Sequence, residues 1–284
     1  MSKLRVITWN AEGMFAPFVV EEPVEHRAMQ TRRAGPHDAL KFVESSEADI
    51  VVIPEFGTSG KLDDAIRTAL QSLGYEIIEI PYRDRYKAPI SMALLVRMPV
   101  VNMKVHRLGG LRDTGEVIVS LDDDTKLRVF GIHLDDTTEA RRLRQARDLV
   151  QEINKDSQIP TIVLGDFNAM HENSRVARVV RSRFAHRVSS YIRHAQLSSI
   201  ARRLHEMAIG TTIRYIEEHT KLHSLDPGHH HTISGKQSGL EWVPAIRLAK
   251  IDWIFGSRSI HVVRYHVYHD VGSDHRPVIA DIIF

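Results

Sequence analysis

The chain has 284 residues, 43% of them apolar, no cysteine and a formal net charge of +2. Disulfide scaffolds, thiolate metal sites and low-complexity disorder are thereby excluded, and a chain of this size can bury a full core unaided. It shows neither a secretory leader pattern nor an apolar run near the roughly 20 residues of a membrane span, so the expectation is a cytoplasmic monomer with no membrane association.

Short runs rich in Val and Ile, bounded by turn residues, predict strands over 4–9, 50–53, 76–80, 91–96, 117–121, 127–133, 161–164, 250–255, 261–267 and 278–283. Between them, Leu62, Ile66, Ala69, Leu70 and Leu73 share one helical stripe, and Leu143, Ala146, Leu149, Val150 and Ile153 another. Segment 173–219 differs in kind. Val176, Val179, Val180 and Phe184 form an apolar stripe, as do Leu197, Ile200, Leu204 and Met207, while Arg175, Arg178 and Arg181 fall mostly on the opposite face. Between His171 and Arg203 there are eight arginines against one acid, Glu172. Segment 226–238, with its Pro-Gly-His-His-His run, reads as a mobile loop rather than as a metal site. Many strands with few helices, and no regular alternation, predict two packed sheets covered by helices. The chain reads as one domain, 1–284, with 173–219 as a basic helical insertion.

Polar residues gather where these strands end. The first runs into Asn10-Ala11-Glu12-Gly13, the second into Pro54-Glu55, and the strand at 127–133 into His133-Leu134-Asp135-Asp136. The run Thr161-Ile162-Val163-Leu164 leads into Gly165-Asp166-Phe167-Asn168, Asp274-His275 precedes the last strand, and Asp252 stands alone among apolar neighbours. Taken singly, each has a structural reading: Asn and Asp close turns, and a buried Asp pairs with a cation or backbone donors. Taken together, they supply carboxylates for a hard cation, carboxamides, two imidazoles and an acid to orient one of them. Those are the parts needed to attack a phosphate ester with metal-activated water.

The motifs WNAEG, IPEFG, GIHLDD, LGDFNA, KIDWIF and GSDHRPV also stand in the order and approximate spacing of the endonuclease/exonuclease/phosphatase superfamily, which the chain resembles from residue 4 onward. The resemblance implies an α+β fold of DNase I type: a four-layer α/β/β/α sandwich of two packed, mostly antiparallel sheets. It implies Glu55 as metal ligand with Asn10, Glu12 and Asp274 around the ion, and Mg²⁺ or Mn²⁺ as cofactor. Asp166 would orient or deprotonate the attacking water. Asn168 would donate to the phosphate or nucleophile, Asp252 would hold the catalytic His275, and His133 would contact the phosphate. Thr232 and Trp242 would touch substrate. The family's tyrosine finds no match before the strand at 91–96, although Tyr82 and Tyr86 lie nearby.

The arginine-rich insertion directly after the Asp166–Asn168 turn, with Arg175, Arg178 and Arg181 as substrate contacts, favours a phosphodiesterase acting on nucleic acid, DNA above RNA. A phosphatase or phosphodiesterase of a small-molecule or lipid phosphate is the alternative. A binding protein without turnover is the third reading.

Overall fold

The computed structural model describes residues 3–15, 35–57, 64–82, 91–110, 112–121, 125–182, 195–228, 230–233, 249–269 and 271–283. Its strands in chain order are β1 (Lys3–Thr8), β2 (Ile50–Ile53), β3 (Glu76–Pro81), β4 (Ser91–Val96), β5 (Val100–His106), β6 (Thr114–Ser120), β7 (Lys126–His133), β8 (Thr161–Asp166), β9 (Leu222–Ser224), β10 (Asp252–Ser257), β11 (His261–Val267) and β12 (Val278–Ile283). The helices are α1 (Pro36–Ser46), α2 (Asp64–Ser72), α3 (Glu139–Asn154), α4 (Arg175–Val180), α5 (Ala195–Ala208) and α6 (Thr211–His219).

The strands make two six-stranded sheets, ordered β11-β12-β1-β2-β4-β3 and β5-β6-β7-β8-β10-β9. Neighbours run antiparallel except for β1 with β2 and β7 with β8. The central strands β2 and β4 are buried at every position, as strands covered on both faces must be. One face of each sheet meets the other in a core that includes Val52, Leu94, Val129, Leu164 and Ile254. The outer face of the first sheet packs against α1 and α2 through Val51, Leu95, Phe42 and Leu70. The outer face of the second packs against α3 and α6 through Phe130, Val163, Leu149 and Ile216. The two sheets and their two helical layers are the expected four-layer α+β sandwich.

Two glycines allow the sheets to close. A Cβ at Gly131 or at Gly115 would lie 2.9 Å from Leu94 Cδ1, so the inner leucine fits only where the facing strands carry no side chain.

Three elements were not legible in the sequence: α1, β5 and the three-residue β9, too short to show an alternation. Helix α1 has its apolar residues spread among polar ones, with Ala39, Phe42, Val43 and Ser46 inward. Strand β5 is an overhanging edge whose Val101, Met103 and Val105 are exposed, so it lacks the one-sided burial that strand patterns rely on. The insertion also departs from its expected stripe: Val179 is exposed, while Ala177 is the buried residue of α4. Phe184 lies outside the described residues. Helix α6 packs on α3 and fills the outer core with Ile213 and Ile216, so the last helix of segment 173–219 belongs to the sandwich layer. Among the described residues, no helix is long and apolar enough to cross a membrane.

Candidate active site

The topology itself draws the site. Because β7 and β8 are parallel neighbours and β10 runs antiparallel beside β8, His133 pairs with Asp166 and Asp166 with Asp252 in one rung across the second sheet. Residues in register on adjacent strands point to the same face, so three chemistry-bearing side chains share one edge. The first sheet ends its own parallel pair at the same edge. There, Trp9 N donates to Val52 O and Ala11 N to Pro54 O, which carries Asn10 and Glu55 out together.

The turns that follow are tight enough to need unusual backbone. Glu12, Glu55 and Asn168 have φ of 49°, 51° and 49°, and the only other non-glycine residue with positive φ among those described is Glu47, which caps α1. Such conformations cost about 1–3 kcal/mol each and persist where the surroundings enforce them. At Gly165, φ is 151° and an added Cβ would lie 1.9 Å from Ile132 O, so only glycine lets β8 stay paired to β7 just before Asp166.

The side chains converge by direct bonds. Asn10 Nδ2 donates to Asp166 Oδ2 at 3.1 Å, and its Oδ1 accepts from Glu12 N at 3.1 Å. Glu12 Oε2 accepts from Asp274 N at 3.4 Å, which ties the first turn to the last. Ser273 Oγ donates to Asn10 O at 2.7 Å and accepts from His275 N at 3.1 Å. His275 Nδ1 lies 2.9 Å from Asp252 Oδ2, and Nε2 faces Asp166 Oδ2 at 3.8 Å and Asp274 Oδ1 at 3.9 Å. His133 Nε2 sits 3.6 Å from Asp166 Oδ2 and 3.7 Å from Glu55 Oε1. Asn168 N donates to Asp166 Oδ1 at 2.8 Å, while its Nδ2 donates to Leu134 O at 3.1 Å. Nine sequence-derived residues (Asn10, Glu12, Glu55, His133, Asp166, Asn168, Asp252, Asp274 and His275) therefore form one connected cluster.

Burial and charge then set the protonation states. Burial pushes the Asp166 carboxyl up to about 7, with Asp252 adding to the shift and His275 opposing it. Glu55 is raised by burial against the pull of Arg112 and His275, and Asp274 by burial against that of His275. The two imidazoles diverge. Burial lowers His133 well below the usual histidine value, and the nearby Arg112 and His275 charges reinforce it. Burial opposes the charge on His275, but Asp252, Asp166 and Asp274 outweigh it and hold that ring well above its ordinary value. One histidine is thus a neutral ring and the other a cation.

Two residues complete the site that motif reading did not assign. Tyr82, just past β3, places its hydroxyl 2.7 Å from His133 Nδ1 and accepts from Glu55 N at 3.4 Å. Arg112, from the turn before β6, donates from Nη1 to Leu134 O at 2.7 Å and reaches Asp136 Oδ1 with Nη2 at 3.4 Å. Its charge acts on Glu55, Asp166 and His133 alike. Tyr82 was visible as a nearby tyrosine. Arg112 gave no signal, because Gly109-Gly110-Leu111-Arg112-Asp113 reads as an ordinary polar turn.

Thr232 is placed differently from its expected substrate contact. It is fully buried, and its hydroxyl accepts from Ile251 N at 3.1 Å and Asp252 N at 3.2 Å. It orients the strand that carries Asp252 and has no surface to offer a ligand. Trp242 lies outside the described residues. Arg175, Arg178 and Arg181 are exposed on and just after α4, but Arg181 turns its Nε to Ala177 O and its Nη2 to Glu172 O. In the histidine run, His230 pairs with Asp226 at 2.8 Å, and Asp226 also holds Lys250 at 2.7 Å.

The donor set fits a hard divalent ion. Ligand atoms of Asp166, Asp252 and His275 all lie within 4.8 Å of one another. A protonated His275 bound to Asp252 has no lone pair free, however, so the ligands would come from Glu55 and Asp274, with Asn10 and Glu12 beside them, which leaves Asp166 to the water. Three buried carboxyls gather in this cleft, and oxygen ligands are those that Mg²⁺ and Mn²⁺ favour.

Among solved structures, the chain is similar to the endonuclease/exonuclease/phosphatase from Bacteroides vulgatus, with a TM-score of 0.68, 17% identity and 100% of both chains covered. It is similar to a mannosyl-6-phosphatase of Bacteroides thetaiotaomicron VPI-5482, with a TM-score of 0.61, 17% identity, and 99% of this chain and 100% of that one covered. It is also similar to ANGEL2, a 2′,3′-cyclic phosphatase in complex with adenosine-2′,3′-vanadate, with a TM-score of 0.64, 13% identity and coverages of 99% and 95%. At these identities the likeness is one of fold. No curated protein matches the sequence. The family match itself runs over residues 7–275, from the strand that delivers Asn10 to the histidine that Asp252 holds, and the chain belongs to the Endonuclease/Exonuclease/phosphatase family of metal-dependent phosphoesterases.

Proposed function

We propose that the protein is a Mg²⁺- or Mn²⁺-dependent phosphodiesterase of nucleic acid, with DNA as its first substrate. The observation that carries the reading is the position of exposed arginines relative to the reaction turn. Helix α4, with Arg175 and Arg178, begins seven residues after Asn168, and Arg202 and Arg203 are exposed on α5. Guanidinium groups on the segment that follows a hydrolytic turn suit a substrate that continues as a string of phosphates beyond the reacting one.

The bound metal would polarise the phosphoryl oxygen and acidify water. The chain's own groups do the rest. Asp166, held by Asn10 and by Asn168 N, accepts the proton of the attacking water. Neutral His133 and cationic His275 present N–H donors where charge grows on the phosphate, and Arg112 adds a fixed positive charge beside them. Water attacks phosphorus as its proton passes to Asp166, the ester P–O bond breaks, and the leaving oxygen takes a proton from cationic His275 and departs as the alcohol.

The test is a panel of abasic, nicked and single-stranded DNA, RNA, a cyclic nucleotide and a sugar phosphate monoester, each with and without Mg²⁺ or Mn²⁺, and with Asp166→Asn as control. Metal-dependent cleavage of DNA, absent in the control, supports the reading. Turnover of the monoester alone would replace it with the phosphatase reading, which the structural likeness to mannosyl-6-phosphatase favours. A cytoplasmic monomer belongs to the same reading, and a dimer in size-exclusion chromatography would count against it.

A further inference from the structure

The turn leaving β7 carries more than His133. Leu134 O accepts from Arg112 Nη1 at 2.7 Å and from Asn168 Nδ2 at 3.1 Å, so one carbonyl ties a guanidinium to the reaction turn. Two residues on, Asp136 stands between Arg112 Nη2 at 3.4 Å and Arg203 Nη1 of α5 at 4.0 Å. Its neighbour Asp135 has Oδ2 3.5 Å from Arg141 Nη1 of α3, while Oδ1 accepts from Thr137 N at 2.8 Å and Thr138 N at 3.2 Å. Three guanidinium groups from three separate elements thus surround two carboxylates, one of which is largely occupied by its own turn. The balance is positive.

The row runs outward. Arg112 is mostly enclosed, whereas Arg203 and Arg141 are 53% and 58% exposed. Contacts of 3.4–4.0 Å to carboxylates are loose, and each guanidinium has five N–H donors, so most remain available to an incoming anion. The geometry of α5 is enforced: Glu206 Oε2 accepts from Glu139 N at 2.8 Å, and Glu139 Oε1 accepts from Thr212 N at 2.6 Å. The insertion is therefore clamped onto the start of α3, which holds Arg203 over the cleft rim.

We propose that this rim, Arg112, Arg203 and Arg141 bracketed by Asp136 and Asp135, receives the phosphate next to the reacting one on a nucleic-acid strand. The inference rests on the nucleic-acid reading above and moves the phosphate grip from Arg175, Arg178 and Arg181 to the rim. The carboxylates hold the arginines in position, and the phosphate takes the donors they leave free.

Binding of a fluorescent single-stranded DNA oligonucleotide tests it, with the full chain carrying Asp166→Asn so that the strand stays uncut in Mg²⁺. Each phosphate contact contributes about 0.7 to the slope of log K against log salt for single strands. Adding Arg141→Gln and Arg203→Gln together should flatten that slope by about 0.7, the share of the one phosphate the rim receives, while Arg258→Gln, on an exposed turn after β10, should leave it unchanged. Circular dichroism confirms that each variant is folded. Equal slopes in the parent and the double variant overturn the rim. A flattened slope in a protein whose wild-type form cleaves no nucleic acid keeps the rim and removes the nuclease reading. No binding by the parent removes both.

Discussion

The hydroxyl of Tyr82 lies 2.7 Å from Nδ1 of His133, on the far side of the ring from the carboxylates of Asp166 and Glu55. With two carboxylates facing Nε2, the neutral ring holds its proton there, toward the cleft, and its Nδ1 accepts from the Tyr82 hydroxyl. Loss of that hydroxyl frees the ring to carry its proton on the wrong side. We expect Tyr82→Phe to lower kcat by about tenfold with KM little changed, the pattern of an interaction made mainly in the transition state. Nitrogen chemical shifts of His133 should report the change of tautomer. Wild-type kcat in the variant would reduce Tyr82 to a packing role.

The Asp252–His275 pair works in the opposite sense, since it keeps a ring charged. Loss of the carboxylate removes the strongest support of that charge and leaves a buried imidazole without orientation. The comparable Asp→Asn change in hydrolase triads costs about 10⁴ in kcat. We expect Asp252→Asn to cost at least about 10² and to remove the activity's dependence on a cationic group above neutrality. Steady-state rates across pH 6–9 would measure both, at roughly the scale expected for acid–base groups.

Asp166 links activity, metal and stability. With its carboxyl raised to about 7, the metal-free site holds a proton at pH values where the unfolded chain, near 3.8, has released it. The folded state therefore binds more protons between those values, and its stability falls as pH rises through them. A divalent ion reverses that cost. Asp166→Asn should thus raise the Tm of the metal-free protein near pH 7.5, by about 2–4 °C for each kcal/mol recovered, while abolishing turnover. Mg²⁺ should raise the Tm of the wild type more than that of the variant. In activity, the rate should rise with pH toward about 7, with the limb moving to lower pH as metal saturates the site. Calorimetry with and without EDTA decides the first two, and a loss of Tm in the variant would count against a strained site.

Gly165 sets how close Asp166 can come. Alanine there would drive a Cβ into Ile132 O, a backbone atom that cannot move without breaking the parallel β7–β8 pairing. We expect Gly165→Ala to cost more than about 4 kcal/mol, and urea denaturation to show it even in saturating Mg²⁺. A mild loss would mean that the strand ends can shift without disturbing the rung.

What the sequence disclosed follows from the same geometry. Asn10, Glu55, His133 and Asp166 each terminate an apolar run, and strand ends lie on the edge of a sandwich, so their proximity was readable from one dimension. Arg112 was not, because its role depends on Leu134 and Asp136 in another strand's turn, and nothing local to residues 109–113 encodes that meeting. Tyr82 is similar: it crosses from the first sheet to a histidine of the second. Thr232 misled for the converse reason. A threonine in a polar loop suggests a surface contact, yet the loop folds under β10 and its hydroxyl serves the backbone at Asp252.

Farther from the site, Glu116 holds a buried network that fixes α3. Its carboxylate lies 2.6 Å from Arg128 Nε and 2.5 Å from His106 Nε2, and Arg128 in turn donates to Glu152 O at 3.0 Å and Ile153 O at 3.1 Å at the end of that helix. Burial raises the Glu116 carboxyl, but the bonds from His106 and Arg128 outweigh it and bring it to about 2. A depressed carboxylate contributes stability that is fully present above its ordinary value of 4.5 and is lost as pH falls toward about 2. Acid unfolding should therefore steepen within that window. Glu116→Gln should remove the effect and leave Arg128 buried without its anion, at a cost of about 3–5 kcal/mol. Chemical denaturation at pH 7 and pH 3 tests this: the gap between wild type and variant should shrink at the lower pH. A gap that stays constant would show that the charge on Glu116 does not anchor α3.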